Sequence, residues 1–237
     1  MAHSSFEGSS FFEGVEKDLL EFVAPLENYS QLLADLNERA RLTGPREASA
    51  IMDEQIKDCA FSLAFAPDIG PVVDIGTGGG LPGVVWAVCR PRLRVTLLES
   101  VGKKCSVLEE ISARLRLSNV DVACSRSETL ALERRESYGI ALSRAVGHLG
   151  VVAEYISPLV RVGGFGLVFK GPKVEQEIED VGEGWSALGF RDPMIYPYSI
   201  NGKSLCLVKL EKHKTCPARF PRNPGKASKN FWWRCSR

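Results

Sequence analysis

The chain has no long apolar run. Nowhere in its 237 residues do apolar side chains approach the roughly 20 in succession that a helix needs to cross a bilayer, so no membrane association is expected. Histidine is scarce: His3, His148 and His213 do not form a ligand set, and no metal site is predicted. The seven cysteines run singly from Cys59 to Cys235, with no Cys-x-x-Cys pair. An odd number of isolated thiols argues against a disulfide framework or a zinc site and for a reducing, cytoplasmic setting. The first fourteen residues carry Glu7 and Glu13 and lack a basic region followed by an apolar run, so they read as neither a signal nor a transit peptide. No internal repeat is present, and the net charge of +1 says nothing by itself about a charged partner.

The charge distribution says more. Acids dominate from Glu7 to Glu27, whereas Lys212, Lys214, Arg219, Arg222, Lys226, Lys229, Arg234 and Arg237 face only Glu211 near the end. Such asymmetry fits a polyanionic partner or a solvated basic tail, and charge alone leaves both open. The hydrophobic content of 44% and charged content of 25% are those of an ordinary globular protein.

Three segments are predicted. Residues 1–66 read as helices packed on the core: Leu19, Leu20, Phe22, Val23 and Leu26 recur at helical spacing, as do Leu32, Leu33, Leu36 and Ala40, then Ile51, Ile56, Ala60 and Leu63. Residues 67–211 alternate short apolar runs with amphipathic stretches, the pattern of a parallel sheet covered by helices. Strands are predicted at Val72–Ile75, Arg94–Leu98, Val120–Ala123, Ile140–Leu142 and Phe165–Phe169. Helices are predicted from Pro82, from Lys103 to Arg116, from Leu149 to Val160 and from Lys173 to Leu188. Ile195–Tyr198, Asn201-Gly202 and Leu205–Leu210 read as a terminal antiparallel hairpin. Residues 212–237 form the basic tail.

Asp74-Ile75-Gly76-Thr77-Gly78-Gly79-Gly80-Leu81-Pro82-Gly83 follows an apolar strand and opens a helix. Glycines let the chain turn tightly and let a ligand approach the backbone without meeting a Cβ. Gly78, Gly80 and Gly83 also fit the dinucleotide pattern Gly-x-Gly-x-x-Gly, so a nicotinamide cofactor has to be weighed. Either cofactor would use an acid at the end of the second strand for ribose hydroxyls, and Glu99 supplies one. Asp74 favours a ligand carrying an ammonium and a sulfonium over one carrying a pyrophosphate, because like charges repel in a low-dielectric cleft. The expected fold is therefore α/β: a Rossmann-like class I S-adenosylmethionine-dependent methyltransferase sheet with a C-terminal antiparallel hairpin and an N-terminal helical segment.

Further candidates sit at predicted strand ends, where ligands bind in open α/β sheets. Arg126-Ser127-Glu128 follows the third strand, Ser143-Arg144-Ala145 the fourth and Lys170-Gly171 the fifth. Arg144 reads as a positioning residue or as half of a structural ion pair. His148 reads as a helix cap or surface residue more than as a base. No Asn/Asp-Pro-Pro-aromatic clamp for amino methylation follows the fourth strand. Nor does a cysteine nucleophile, which cytosine C5 methylation requires.

Together these residues resemble the small-subunit ribosomal RNA methyltransferase G family, guanine-N7 methyltransferases also called glucose-inhibited division protein B. The resemblance covers about residues 15 to 230. It is carried by Asp74 to Gly83, Leu97-Leu98-Glu99-Ser100-Val101-Gly102-Lys103-Lys104, Ser143-Arg144-Ala145, Lys170-Gly171 and Pro221-Arg222-Asn223-Pro224-Gly225-Lys226. The family's N-terminal Trp-Asn-x-x-x-Asn-Leu-Thr stands here as Leu36-Asn37 and Arg41-Leu42-Thr43. Its His-x-x-Asp-Ser stands as Gln55-Ile56-Lys57-Asp58-Cys59.

The resemblance implies that Gly76, Leu81, Ser127, Glu128 and Arg144 contact S-adenosylmethionine, and the physical argument adds Asp74, Gly78, Gly80 and Glu99. It further implies methylation of N7 of a guanine in 16S ribosomal RNA, as naked RNA or in the small ribosomal subunit, by a monomer. Lys170, Arg222, Lys226 and Lys229 are the expected phosphate contacts, and the N-terminal helices help shape the RNA face. A methyltransferase for another RNA, a protein or a small molecule, a nicotinamide oxidoreductase and a non-catalytic RNA-binding module are the competing readings.

Overall fold

Two hydrophobic faces on alternating strand residues give a sheet with helices on both sides. The computed structural model describes residues 7–8 and 12–234; His3, Cys235 and Arg237 lie outside them. In chain order the elements are β1 (Glu7–Gly8), α1 (Glu13–Glu21), α2 (Val23–Ala40), α3 (Ala48–Ile51), a π-helical turn (Met52–Ile56), α4 (Lys57–Ala60) and a 3-10 turn (Phe61–Phe65). There follow β2 (Gly70–Ile75), α5 (Gly83–Cys89), β3 (Leu93–Glu99), α6 (Gly102–Arg114), β4 (Val120–Cys124), α7 (Ser127–Glu133), β5 (Tyr138–Arg144) and α8 (Leu149–Ile156). The chain continues through β6 (Val160–Lys170), α9 (Val174–Val181), a 3-10 stretch (Gly182–Leu188), β7 (Met194–Ile200), β8 (Lys203–Glu211) and a last 3-10 turn (Trp232–Arg234).

The sheet order is β1-β7-β8-β6-β5-β2-β3-β4. Strands β2 to β6 are mutually parallel, β8 runs antiparallel beside β6, and β7, antiparallel to β8, runs again in the direction of β2 to β6. The two-residue β1 pairs antiparallel with β7 and forms that edge of the sheet. Strand β2 lies between β3 and β5, so the winding reverses there and opens a crevice at the strand ends. The predicted hairpin is present: Asn201 and Gly202 both take positive φ, 50° and 70°, as a two-residue type I′ turn requires.

Val72 and Leu97 join one apolar cluster, Val73 and Leu98 the other. The first cluster is built largely from the N-terminal segment: Leu26, Tyr29, Leu33, Ile56 and Phe61 are fully buried against α5 and the sheet. Polar ties reinforce this packing. Trp86 Nε1 donates to Ser62 Oγ at 2.6 Å, and both terminal nitrogens of Arg90 donate to the Asp18 carboxylate, at 2.9 and 2.7 Å.

Four features differ from the sequence reading. Helix α8 ends at Ile156, four residues early, because Pro158 cannot continue a helix and Val160 already starts β6. The stretch Lys173–Leu188 is not one helix: Gly182 has φ 62° and ψ −137°, after which the chain tightens into 3-10 geometry. Residues 127–133, for which the sequence reading predicts no helix, form α7, a helix too short to show a clear period. Finally, Cys105 of α6 is disulfide-bonded to Cys124 of β4, with Cα atoms 5.7 Å apart. Among the described residues the expectation of isolated thiols holds for Cys59, Cys89, Cys206 and Cys216, which are free and buried. Spacing hid the pair because it is made by α6 folding back onto β4. Among the described residues no helix is long and apolar enough to cross a membrane.

The basic C-terminal segment is laid back across the fold. The Arg135 guanidinium donates to the carbonyls of Cys216, Pro217 and Phe220, and Gly225 N donates to Glu128 Oε1 at 3.0 Å.

Helix α2 stops where Arg41 adopts a left-handed conformation, φ 48° and ψ 66°. Asn37 organises the turn: its Oδ1 accepts from the Leu42 and Thr43 amides at 2.7 and 3.0 Å, and its Nδ2 donates to the Thr43 and Pro45 carbonyls. A Cβ-bearing cation is a poor occupant of that conformation, in which asparagine is the better-tolerated residue. Arg41→Asn is therefore expected to stabilise the fold by about 1 kcal/mol, read as a higher urea midpoint at unchanged slope; an unchanged or lower midpoint would refute this account of the turn.

Candidate cofactor cleft

The strand end at Asp74 sets the geometry. Its side chain is wholly buried. Oδ2 accepts from Thr77 Oγ1 at 2.6 Å and from the Gly83 amide at 2.8 Å, whereas Oδ1 is buried without a hydrogen-bond partner. Asp74 thus ties the turn to the first residue of α5 from behind. Burial pushes its pKa up to about 6, against the hydrogen bonds from Thr77 and Gly83, which favour the ionised form. The turn needs glycine at two points in particular. Gly76 has φ 68°, and a Cβ there would lie 2.6 Å from Val146 Cγ2; Gly80 has φ 101°, and a Cβ would lie 2.9 Å from the Tyr29 hydroxyl. That hydroxyl donates to the Gly79 carbonyl at 2.8 Å, so α2 braces the turn from outside the sheet.

Glu99, at the end of β3, fastens the other side. Oε2 accepts from the Gly78 amide at 3.1 Å, and Oε1 accepts from the Ser100 and Val101 amides at 2.7 and 2.9 Å. Beyond β5, Ala145 takes φ 57°, a strained turn for a residue with a Cβ. Val146 follows it and faces Gly76.

Between these strand ends opens a cleft of about 390 Å³, within the ~300–1,000 Å³ typical of small-molecule sites. Gly76, Ser100, Arg126, Ser127, Glu128 and Val146 line it, with His148 and Tyr155 from one side and Ser228 and Phe231 from the C-terminal segment.

The predicted cofactor residues are not all brought together. Gly76, Ser127 and Glu128 face the cleft. Gly78 and Glu99 do not line it; they bond each other, and it is Leu98 and Ser100, on either side of Glu99, that reach the cleft, while Asp74, Gly80 and Leu81 shape the turn from behind. Arg144 lies elsewhere. Its Nη1 donates to Asp58 Oδ2 at 3.0 Å, its Nη2 donates to Gln55 Oε1, and Asp58 Oδ1 accepts from the Tyr198 hydroxyl at 2.6 Å. This network joins β5, the N-terminal helices and the hairpin.

The predicted phosphate contacts divide. Lys170 Nζ donates to the Gly147 carbonyl and to Glu177 Oε2, both at 2.6 Å, and is nearly buried. Arg222 is paired through two nitrogens with Glu154, which is 2% exposed. Lys226 and Lys229 are exposed and edge a shallow depression with Arg234. His148 caps α8, accepting from the Gly150 amide at 3.1 Å, and pairs with Asp180 at 3.2 Å. Sequence reasoning missed Asp58, Tyr155, Tyr198 and Phe231. Of these only Asp58 carried a signal, three residues after Gln55 in a helical stretch.

A glycine turn at the switch point of a sheet with a reversed last strand, opening on a cleft beside an acid, defines the Rossmann-like fold of class I methyltransferases. M. jannaschii TYW2, solved in complex with AdoMet, superposes with a TM-score of 0.50 at 16% identity over 61% of this chain and 69% of that one, a likeness of fold alone. A family model described as rRNA small subunit methyltransferase G matches residues 23–206. The ribosomal RNA small subunit methyltransferase G of Rubrobacter xylanophilus is 40% identical over 88% of this chain and 83% of its own length. That of Alkaliphilus metalliredigens is 34% identical over 87% and 89%. The chain belongs to the rRNA small subunit methyltransferase G family.

Two consequences of the geometry are measurable. Because the folded state holds the Asp74 proton up to about pH 6 and the unfolded chain releases it near pH 3.8, the native state binds more protons between those values. Stability then falls as pH rises through this window, by about 3 kcal/mol in all, and the loss is complete above it. Urea unfolding of Asp74→Asn, which cannot ionise, should lack this component; the same pH dependence in both proteins would refute the assignment. Arg144→Ala leaves the Asp58 carboxylate with Tyr198 alone and should cost about 3 kcal/mol of stability. Retention of full stability would show that the pair contributes nothing.

Proposed function

We propose that the chain transfers the methyl group of S-adenosylmethionine to N7 of a guanine in 16S ribosomal RNA, acting as a cytoplasmic monomer. The observation that carries this reading is the pairing of family membership with a cleft lined by Gly76 of the glycine turn, in which Glu99 holds the neighbouring Gly78 amide. The residues present suit this cofactor. Glu99 Oε2 accepts a single hydrogen bond from the protein, which leaves lone pairs for a ribose hydroxyl. Glu128 and Arg126 both line the cleft and the buried Asp74 stands behind the turn, so the acids outnumber the one guanidinium and favour a cation over a pyrophosphate.

When bound, S-adenosylmethionine supplies an electrophilic methyl group on a sulfonium. The chain's own task is positioning. Guanine N7 carries a free lone pair at neutral pH, so no side chain has to remove a proton, and the cap role of His148 leaves no gap in the chemistry. Holding nucleophile, methyl carbon and sulfur in line can contribute on the order of 7–11 kcal/mol. Arg144 serves this end indirectly, by fixing the end of β5 and hence Val146 against Gly76. Lys226 and Lys229, whose ammonium groups have no carboxylate partner among the described residues, are the phosphate contacts that orient the RNA without reading the base. The internal pairing of Lys170 and Arg222 assigns those two to holding the fold.

Labelled S-adenosylmethionine supplied with naked 16S RNA and with small subunits lacking the modification tests the reaction. Label should enter one guanine, which borohydride and aniline cleavage then locates as N7-methylguanosine. Lys226→Glu with Lys229→Glu should weaken RNA binding and lower the slope of log affinity against log salt by roughly one per lysine. Heat on adding NADH but none with S-adenosylhomocysteine would overturn the cofactor, and label in protein or small molecules alone would overturn the substrate.

A further inference from the structure

The C-terminal segment does more than end the chain near the cleft. Ser228 and Phe231 form part of the cleft wall, on the side that the strand ends leave open. The segment is anchored on both sides of these residues. Before them, Arg222 Nε donates to Glu154 Oε1 at 2.6 Å, and the Gly225 amide donates to Glu128 Oε1 at 3.0 Å. After them, Trp232 Nε1 donates to the Gly150 carbonyl at 2.8 Å.

The Phe231 ring is also set in a stack. It lies parallel to Trp233, with centroids 4.7 Å apart and planes 8° apart, and Trp233 lies on His148 at 5.0 Å and 18°. His148 in turn is fixed by its cap bond to Gly150 and its pairing with Asp180. Gly150 makes room for the arrangement, since a Cβ there would lie 2.5 Å from Trp233 Cζ3 and 2.8 Å from Val181 Cγ2. An aromatic ring held this way is a rigid apolar surface that costs a bound ligand little ordering entropy.

Resting on the reading of the cleft as the S-adenosylmethionine site, we propose that Phe231, seated on Trp233 and His148, is a cofactor-retaining residue: the C-terminal segment closes the cleft wall and slows departure of the adenosyl ligand. The anchor through Glu128 couples the two, because the carboxylate that faces the cleft also holds the segment in place. Release of the ligand therefore requires it to pass Phe231 or the segment to lift.

The test compares the full chain with Phe231→Ala, Phe231→Tyr and Gly150→Ala, with S-adenosylhomocysteine as the probe. Calorimetry gives the Kd, and stopped-flow displacement, read on tryptophan fluorescence, gives the release rate. Phe231→Ala and Gly150→Ala should each raise the Kd about tenfold, mostly through faster release, while Phe231→Tyr retains the parent values. Should Gly150→Ala fail to give the parent circular-dichroism spectrum, the pair of Phe231 variants decides, since neither places an atom in the core. Parent Kd and release rate in Phe231→Ala would overturn the proposal and leave the cofactor assignment standing. No heat from S-adenosylhomocysteine with the unmodified chain would overturn the cofactor reading, and this inference with it.

Discussion

One buried carboxylate holds the ligand-facing end of the molecule together. Asp74 accepts from both ends of the glycine turn, Thr77 near its start and Gly83 at the first residue of α5, so strand, turn and helix share a single acceptor. Burying an acid is costly unless hydrogen bonds satisfy it, and here one oxygen receives both donors while the other has none. The arrangement is consequently rigid but not fully compensated. Gly83 shows how tight it is: a Cβ at that position would lie 2.4 Å from Leu97 Cδ2 and 2.9 Å from Asp74 Oδ2. The acid cannot serve the turn from behind and also reach into the cleft, and of the acids singled out in the sequence Glu128 is the one on the cleft lining.

The turn is braced a second time by the N-terminal helices, which makes that segment part of the site's foundation. Tyr29 holds the Gly79 carbonyl, and Leu33 and Leu42 press on Gly79, where a Cβ would lie 2.9 Å from Leu33 Cδ2. On the opposite lip Gln55 and Asp58 hold Arg144. Both departures from the family pattern fall on these braces. Arg41 occupies the left-handed end of α2, and Gln55 supplies an acceptor to the arginine at the end of β5. Neither residue is on the cleft lining.

This division explains what the sequence could and could not reveal. The parallel sheet, its order of strands and helices and the terminal hairpin were legible because each rests on a local period or a two-residue turn such as Asn201-Gly202. Gly76, Ser127 and Glu128 were named through the family resemblance, and all three line the cleft. Asp74 was legible as a key residue but not in its direction, which depends on whether the turn's amides or a ligand capture the carboxylate. Arg144 was placed at the correct strand end, yet its partners come from residues 86 and 89 positions away in the chain, and no spacing rule reaches that far. The Cys105–Cys124 pair and the return of the C-terminal segment were hidden for the same reason: both are made by tertiary packing, not by neighbours in sequence.

Charge was the least legible property, because a count of cations does not say which are already neutralised. The C-terminal residues read as one basic patch, but Lys212 is fully buried with Glu136 Oε1 at 3.1 Å and the Val160 carbonyl at 3.1 Å, and Arg222 is spent on Glu154. Lys214, Arg219, Lys226, Lys229 and Arg234 remain exposed, and of these Lys226 and Lys229 belong to the stretch that presents Ser228 and Phe231 to the cleft. The proposed reaction brings a cationic methyl donor and a polyanionic acceptor to one place, which requires fields of opposite sign side by side. A basic residue turned inward would weaken the field that Glu99, Glu128 and Asp74 offer the donor, and an acidic rim would repel the acceptor. A strap that is neutral on its inner side and basic on its outer side satisfies both requirements with one short stretch of chain. Pairing of Lys170 with Glu177 and of Arg222 with Glu154 acts in the same sense, since it neutralises two further cations and leaves Arg126 as the guanidinium on the cleft lining.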